Sequence, residues 1–231
     1  APVKNFILKL KFRIGEGNSG VQYRSRLTGK WQVAGYQADI ASSADLAGLL
    51  YEEGGRGILA NVGQLVHVAA DGTKSVLGAV SDAGQAGVMV PNEWNDYTIT
   101  ARGKHIVHEL NGVQRVEVID EDAKGAAEGI IALQLHTGPP MNIAFKEIQI
   151  RTLDAEFGVP VQLFDGKTLQ GWTYSNDNQK DTWAVGDGVI TDTGQPAGYI
   201  RTEADYTNYA LRVQLRHVKQ GNSGVLVRMV G

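Results

Sequence analysis

Apolar residues recur at every second position from the start of this chain. In Phe6-Ile7-Leu8-Lys9-Leu10-Lys11-Phe12-Arg13, the side chains of Phe6, Leu8, Leu10 and Phe12 fall in one phase. Residues two apart share a face of an extended strand, so this pattern predicts a half-buried strand with one face for a core. The same period runs through Val113–Val118, Ile143–Ile150 and Tyr209–Arg216. Asp71-Gly72, Asn111-Gly112, Asp165-Gly166 and Asp187-Gly188 punctuate these runs, as residues that accept a positive φ do in tight turns. Asn111-Gly112, between Ile106-Val107 and Val113–Val118, predicts a β-hairpin. Only Ser43–Gly48 and Asp120–Ala127 suggest a turn of helix. Strands without intervening amphipathic helices predict an all-β sandwich or jelly roll.

A second feature bears on domain organisation. Asn5–Arg13, followed by Gly17-Asn18-Ser19-Gly20-Val21 and Arg24, returns as Asn208–Arg216, followed by Gly221-Asn222-Ser223-Gly224-Val225 and Arg228. The separation, about 200 residues, is too long for a solenoid repeat and suits one β-sandwich. Residues 1–153 are therefore expected to be a sandwich lacking its opening strands, and residues 161–231 the opening strands of a second copy. Residues 161–207 then complete the first sandwich directly, or by swapping into a domain-swapped homo-oligomer. Otherwise they form a separate half-domain with exposed edges.

A net charge of −3, with basic residues scattered among acids, leaves no footprint for nucleic acid or an anionic membrane. No apolar run approaches the length of a bilayer span, and Ala1–Asn5 is no signal peptide. The absence of cysteine excludes disulfides and thiolate metal sites.

Several segments in series resemble the 3-keto-disaccharide hydrolase domain family. Gln162–Trp172 is similar to its opening, Trp183–Ile190 to its next strand pair, and Gly17–Arg24 to its central hairpin. Gly35–Ile40, Leu50–Glu53, Trp94-Asn95, Leu110–Gly112, Ile131–His136 and Phe145–Ile148 follow in order. The resemblance implies a concanavalin-like jelly-roll sandwich of two antiparallel sheets, permuted in strand order, in an exported (periplasmic or secreted) protein of glycan metabolism. It implies a saccharide ligand and cleavage of 3-keto-glycosides by proton abstraction. A non-catalytic lectin-like or adhesion module is the rival reading, since fold does not fix function.

The candidate site follows from phase and resemblance together. Arg24, Glu53 and His136 are the expected catalytic residues; Asn18, Gln37, Asp39, Tyr51 and Trp94 are expected to bind the sugar. Alternation puts Gln22, Arg24 and Arg26 on one strand face, and Gln37 with Asp39 on another. Arg24 is the expected donor to an enolate oxygen, His136 or Glu53 the proton carrier, and Gln37 with Asp39 the pair that positions hydroxyls. Asp39 with Glu53 would instead serve an ordinary two-carboxylate glycosidase. Tyr36 is a further stacking candidate; His67, His105, His108 and His217 are expected at the surface. No cofactor is expected. Asp39, Glu52 or Glu53 and His136 are chemically compatible with a divalent metal, but their spacing matches no local metal motif.

Overall fold

The computed structural model describes residues 2–80, 88–153, 161–206, 209, 211, 213, 215–216 and 223–227. The chain divides into two compact units, Ala1–Gly158 and Val159–Gly231.

The first unit is a two-sheet sandwich. Its strands are β1 (Phe6–Ile14), β2 (Asn18–Gly29), β3 (Gln32–Ala41), β4 (Leu50–Glu53), β5 (Gly57–Ala60), β6 (Gln64–Val68) and β7 (Lys74–Ala79). They continue with β8 (Asn95–Arg102), β9 (His105–Leu110), β10 (Val113–Asp120), β11 (Ile130–Leu133) and β12 (Ile143–Thr152). One sheet has the order β12-β1-β8-β9-β10-β6-β7, the other β11-β2-β3-β4-β5. Neighbours are antiparallel except β10 and β6, which run parallel.

Alternation sets the core. Phe6, Leu8, Leu10, Phe12 and Ile14 of β1 are all buried, as their period predicts. They meet Val21 and Tyr23 of β2, Tyr36, Ala38 and Ile40 of β3, and Tyr97 and Ile99 of β8 in one cluster. Each such side chain contributes about 1.5–3 kcal/mol by leaving water. Asn111 and Gly112, with φ of 50° and 78°, form the two-residue β9–β10 turn read from the sequence. Ser43–Gly48 is a turn closed by the Ala47 N–H donating to the Ser43 carbonyl (3.1 Å), and Asp120–Ala127 forms no helix.

His108 corrects the expectation of a surface histidine. It lies on β9 in phase with Ile106 and Leu110 and is fully buried. Its Nε2 bonds the Tyr23 hydroxyl (2.8 Å), and its Nδ1 bonds the Gly48 carbonyl (3.1 Å). Burial pushes its pKa down to about 4.

The second unit holds two antiparallel pairs. β13 (Trp172–Tyr174) pairs with β16 (Ile200–Thr202), and β14 (Trp183–Gly186) with β15 (Val189–Asp192). A 3-10 turn at Asp177–Gln179 is the one helical element among the described residues. Trp172 Nε1 donates to the Leu163 carbonyl (2.6 Å), and Asp165 accepts from the backbone N–H groups of Lys167 and Thr168. Asn208, Asn222, Arg228 and His217 lie outside the described residues.

Candidate functional site

With Val21, Tyr23, Tyr36, Ala38 and Ile40 turned into the core, period two turns Gln22, Gln37 and Asp39 to the outer face of the five-stranded sheet. Register aligns them: Gln22 is opposite Gln37, Gln37 opposite Tyr51, and Gly20 opposite Asp39. Glycine at position 20 is a packing requirement, because a Cβ there would stand 2.5 Å from the Gln37 side-chain carbon.

A directed chain of hydrogen bonds crosses this face. Ser25 Oγ donates to Gln22 Oε1 (2.9 Å), Gln22 Nε2 to Gln37 Oε1 (2.7 Å), and Gln37 Nε2 to Asp39 Oδ1 (2.5 Å). Asn18 Nδ2 approaches the other Asp39 oxygen at 3.5 Å. An ionised carboxylate only accepts, so Asp39 fixes the direction of both amides. Gln22 and Gln37 are buried, and Asp39 is partly so.

Burial is the largest influence on Asp39 and raises its pKa; the bonds from Gln37 and Asn18 oppose this. His136 also lowers it and Glu53 raises it, so both side chains lie within electrostatic reach of the carboxyl. Asn18, Gln37, Asp39, Tyr51 and Glu53 thus share one sheet face, with His136 within electrostatic reach of Asp39. His136 lies just past β11, is exposed, and ends the segment in which Gln134 N–H donates to the Gly20 carbonyl (2.9 Å).

Two expected members lie elsewhere. Arg24 has φ +46° at a register shift between Tyr23 and Arg26, which breaks the phase that would have kept it with Gln22. Its guanidinium donates to the carbonyls of Lys4 and Gly103 (both 2.8 Å) and reaches Asn5 Oδ1 (3.4 Å). It lines a separate cavity of about 210 Å³ with Tyr36, Gly103, Asp120 and Gly125. Trp94 precedes β8 of the other sheet, where Arg13 lies 5.0 Å and Lys146 4.3 Å from its ring centre. Tyr36 is a core residue whose hydroxyl donates to Asp120 (2.5 Å), not a stacking platform on the surface. Glu52 faces inward and is bonded to Arg56 (2.5 Å), which removes it from any ligand set with Asp39. No group of three or more His, Asp or Glu among the described residues is arranged to hold a metal ion.

Sequence reasoning did not single out Gln22, Ser25 or Gln134. Gln22 had a signal, since its phase opposes that of Val21 and Tyr23. Its pairing with Gln37 became visible only with the strand register. Gln134 carries a buried side-chain oxygen with no hydrogen-bond partner among the described residues.

The model of the 3-keto-alpha-glucoside-1,2-lyase-like domain matches residues 1–151 and 159–230. Among solved structures, a candidate glycosyl hydrolase of Parabacteroides distasonis ATCC 8503 is 26% identical, covering 66% of this chain and 80% of that one, with a TM-score of 0.45. The carbohydrate-binding module CBM66 of Bacillus subtilis is 15% identical, covering 66% and 78%, with a TM-score of 0.44. A second candidate glycosyl hydrolase of P. distasonis is 18% identical, covering 67% and 74%, with a TM-score of 0.41. No curated protein matches the chain.

Proposed function

The chain belongs to the 3-keto-alpha-glucoside-1,2-lyase-like domain family, and from that membership we propose that the outer face of its five-stranded sheet binds and cleaves 3-keto-glycosides. The observation that carries this reading is the partly buried Asp39 carboxyl, bonded by Gln37 and Asn18 and within electrostatic reach of Glu53 and His136.

A ketone at C3 acidifies the proton on C2. A base removes that proton, the electron pair forms the C1–C2 double bond, and the C1–O bond breaks toward the leaving oxygen, which takes up a proton. Water added back across the double bond gives net hydrolysis. The site therefore needs a base, a proton donor for the leaving group and a hydrogen bond for the enolate oxygen. Asp39 is the base in this reading, because burial makes its carboxylate more basic than an exposed one. His136 supplies the leaving-group proton from the exposed rim, and the Asn18 amide is the donor for the enolate oxygen. Gln37 holds Asp39 in place, while Tyr51 and Glu53 contact the sugar. Arg24, spent on Lys4 and Gly103, takes no part.

No helix of the described residues is long and apolar enough to cross a membrane. The saccharide partner and an exported location belong to the same reading.

The test is release of free sugar from a 3-keto disaccharide and from its unoxidised counterpart. Turnover of the keto sugar alone is expected, falling by at least about a hundredfold in Asp39→Asn and His136→Ala. Cleavage of the unoxidised sugar would instead favour Asp39 and Glu53 as a glycosidase pair. Binding without turnover would make the face a lectin site.

A further inference from the structure

The outer face of the seven-stranded sheet is hollowed where β12, β1 and β8 lie side by side. The groove there has a volume of about 470 Å³, within the range of sites that hold small molecules. Period two turns Lys9 and Lys11 outward, because Leu8, Leu10 and Phe12 fill the core. Register then lays two polar rows across the three strands. Thr98, Lys9 and Gln149 form the first. In the second, Lys11 stands opposite Asp96 and is bonded to it at 2.9 Å, and Glu147 closes the row at 3.8 Å.

Both walls of the groove are fixed. On the β8 side, Asn111 of the β9–β10 turn is tied to Asp96: its N–H donates to the Asp96 carbonyl, and its Oδ1 accepts from the Asp96 N–H (both 2.8 Å). On the other side β12 bulges. Lys9 pairs with Gln149 but Lys11 with Lys146, so Glu147 and Ile148 share the place opposite Leu10. Glu147 has a φ of +52°, which in a bulge of this kind is ordinarily left to glycine. A glutamate here accepts backbone strain, and such strain gathers at binding sites. Its return is a carboxylate placed in the groove wall, 3.8 Å from Lys11 and 3.5 Å from Lys146.

The lining selects its ligand. Leu10 and Tyr97 are 2% and 1% exposed, with side chains in the core, so they offer the groove backbone and no anchor for a lipid or an apolar peptide side chain. Lys9 and Lys11 balance Asp96 and Glu147, two cations against two carboxylates, which favours neither an anion nor a metal cation. The polar groups recur about 7 Å apart along each strand and about 5 Å apart across strands, the scale of one pyranose ring with its hydroxyls. A hydroxyl both donates and accepts, so a sugar can bridge a carboxylate and an ammonium group in either row. We infer that this groove is a second saccharide site, for a neutral and unoxidised sugar, on the sheet opposite the proposed cleavage face. It holds glycan without acting on it and does not rest on the cleavage reading.

The full chain is titrated with maltose, cellobiose and sucrose while its backbone amides are followed by NMR. Saturable shifts at Lys9, Lys11, Thr98 and Gln149 are expected with at least one of the three sugars. Glu147→Gly relieves the strained backbone, so its thermal midpoint is expected to hold or rise while binding weakens at least about tenfold. Lys9→Ala, at an exposed position, is expected to weaken binding similarly with the midpoint unchanged. No saturable shift with any of the three sugars overturns the inference, as do shifts confined to Gln22, Gln37 and Asp39. Unchanged affinity in either variant or a lowered midpoint in Glu147→Gly overturns it too. Tighter binding of dextran sulfate than of the neutral sugars would make the groove an anion site instead. A failed cleavage assay leaves these shifts in place, so the two readings fail separately.

Discussion

His108 is held neutral inside the sandwich, between the Tyr23 hydroxyl and the Gly48 carbonyl, with burial lowering its pKa from 6.5 to about 4. The unfolded chain takes up a proton at this residue below pH 6.5, while the folded one does so only near pH 4. Its contribution to stability is therefore complete above pH 6.5 and is lost as pH falls toward 4, a change of about 3 kcal/mol. Urea midpoints measured from pH 7 to 4 are expected to fall less steeply in His108→Gln than in the parent. Asp39 has the opposite sign, because its raised pKa favours the folded state at low pH and that stability is lost as pH rises through the raised value. At this scale the sequence was partly legible. Gln37 and Asp39 were assigned to a shared face by phase, while Asn18 entered the candidate site through the family resemblance. His108 had the phase of Ile106 and Leu110 as well, but residue type outweighed phase in placing it at the surface.

Elements were legible wherever contacts are local and obscure where a partner bends them. The β1 alternation and the Asn111-Gly112 turn need only near neighbours in sequence. The shift in β2 between Tyr23 and Arg26 arises in its pairing with β3, and one such shift moves a side chain to the opposite face. Arg24 therefore acts as a structural tie between β2 and the carbonyls of Lys4 and Gly103. Arg24→Ala strands those acceptors and is expected to cost about 2–3 kcal/mol, seen as a lower thermal midpoint. Sugar release per folded molecule should stay at the parent level. Asp39→Asn should show the reverse, with turnover lost and the midpoint at pH 7 unchanged or raised.

Across the whole sandwich, Arg56 joins parts far apart in sequence. Its guanidinium binds Glu52 at 2.5 Å, Asp120 at 2.7 Å and Asp122 at 3.2 Å, and all three carboxylates are buried. Removing the cation leaves them facing one another in a poor solvent for charge, so Arg56→Ala is expected to cost about 3–5 kcal/mol by urea denaturation. The Glu52–Arg56 pair, four residues apart, was open to a local reading, whereas its junction with Asp120 and Asp122 and the parallel pairing of β6 with β10 depend on which distant segments meet. The class of fold was readable, since it is written in local pattern. The place of β1 has a further consequence for how the molecule is made. Its neighbours are β8 and β12, so β1, translated before both, waits for the segment ending at Thr152 before its second edge is paired. At about 5–20 residues per second that wait is on the order of ten seconds, yet it still ends before Tyr209 is translated. Vectorial synthesis thus gives the first hairpin a head start over its duplicate, and refolding from denaturant would take that advantage away.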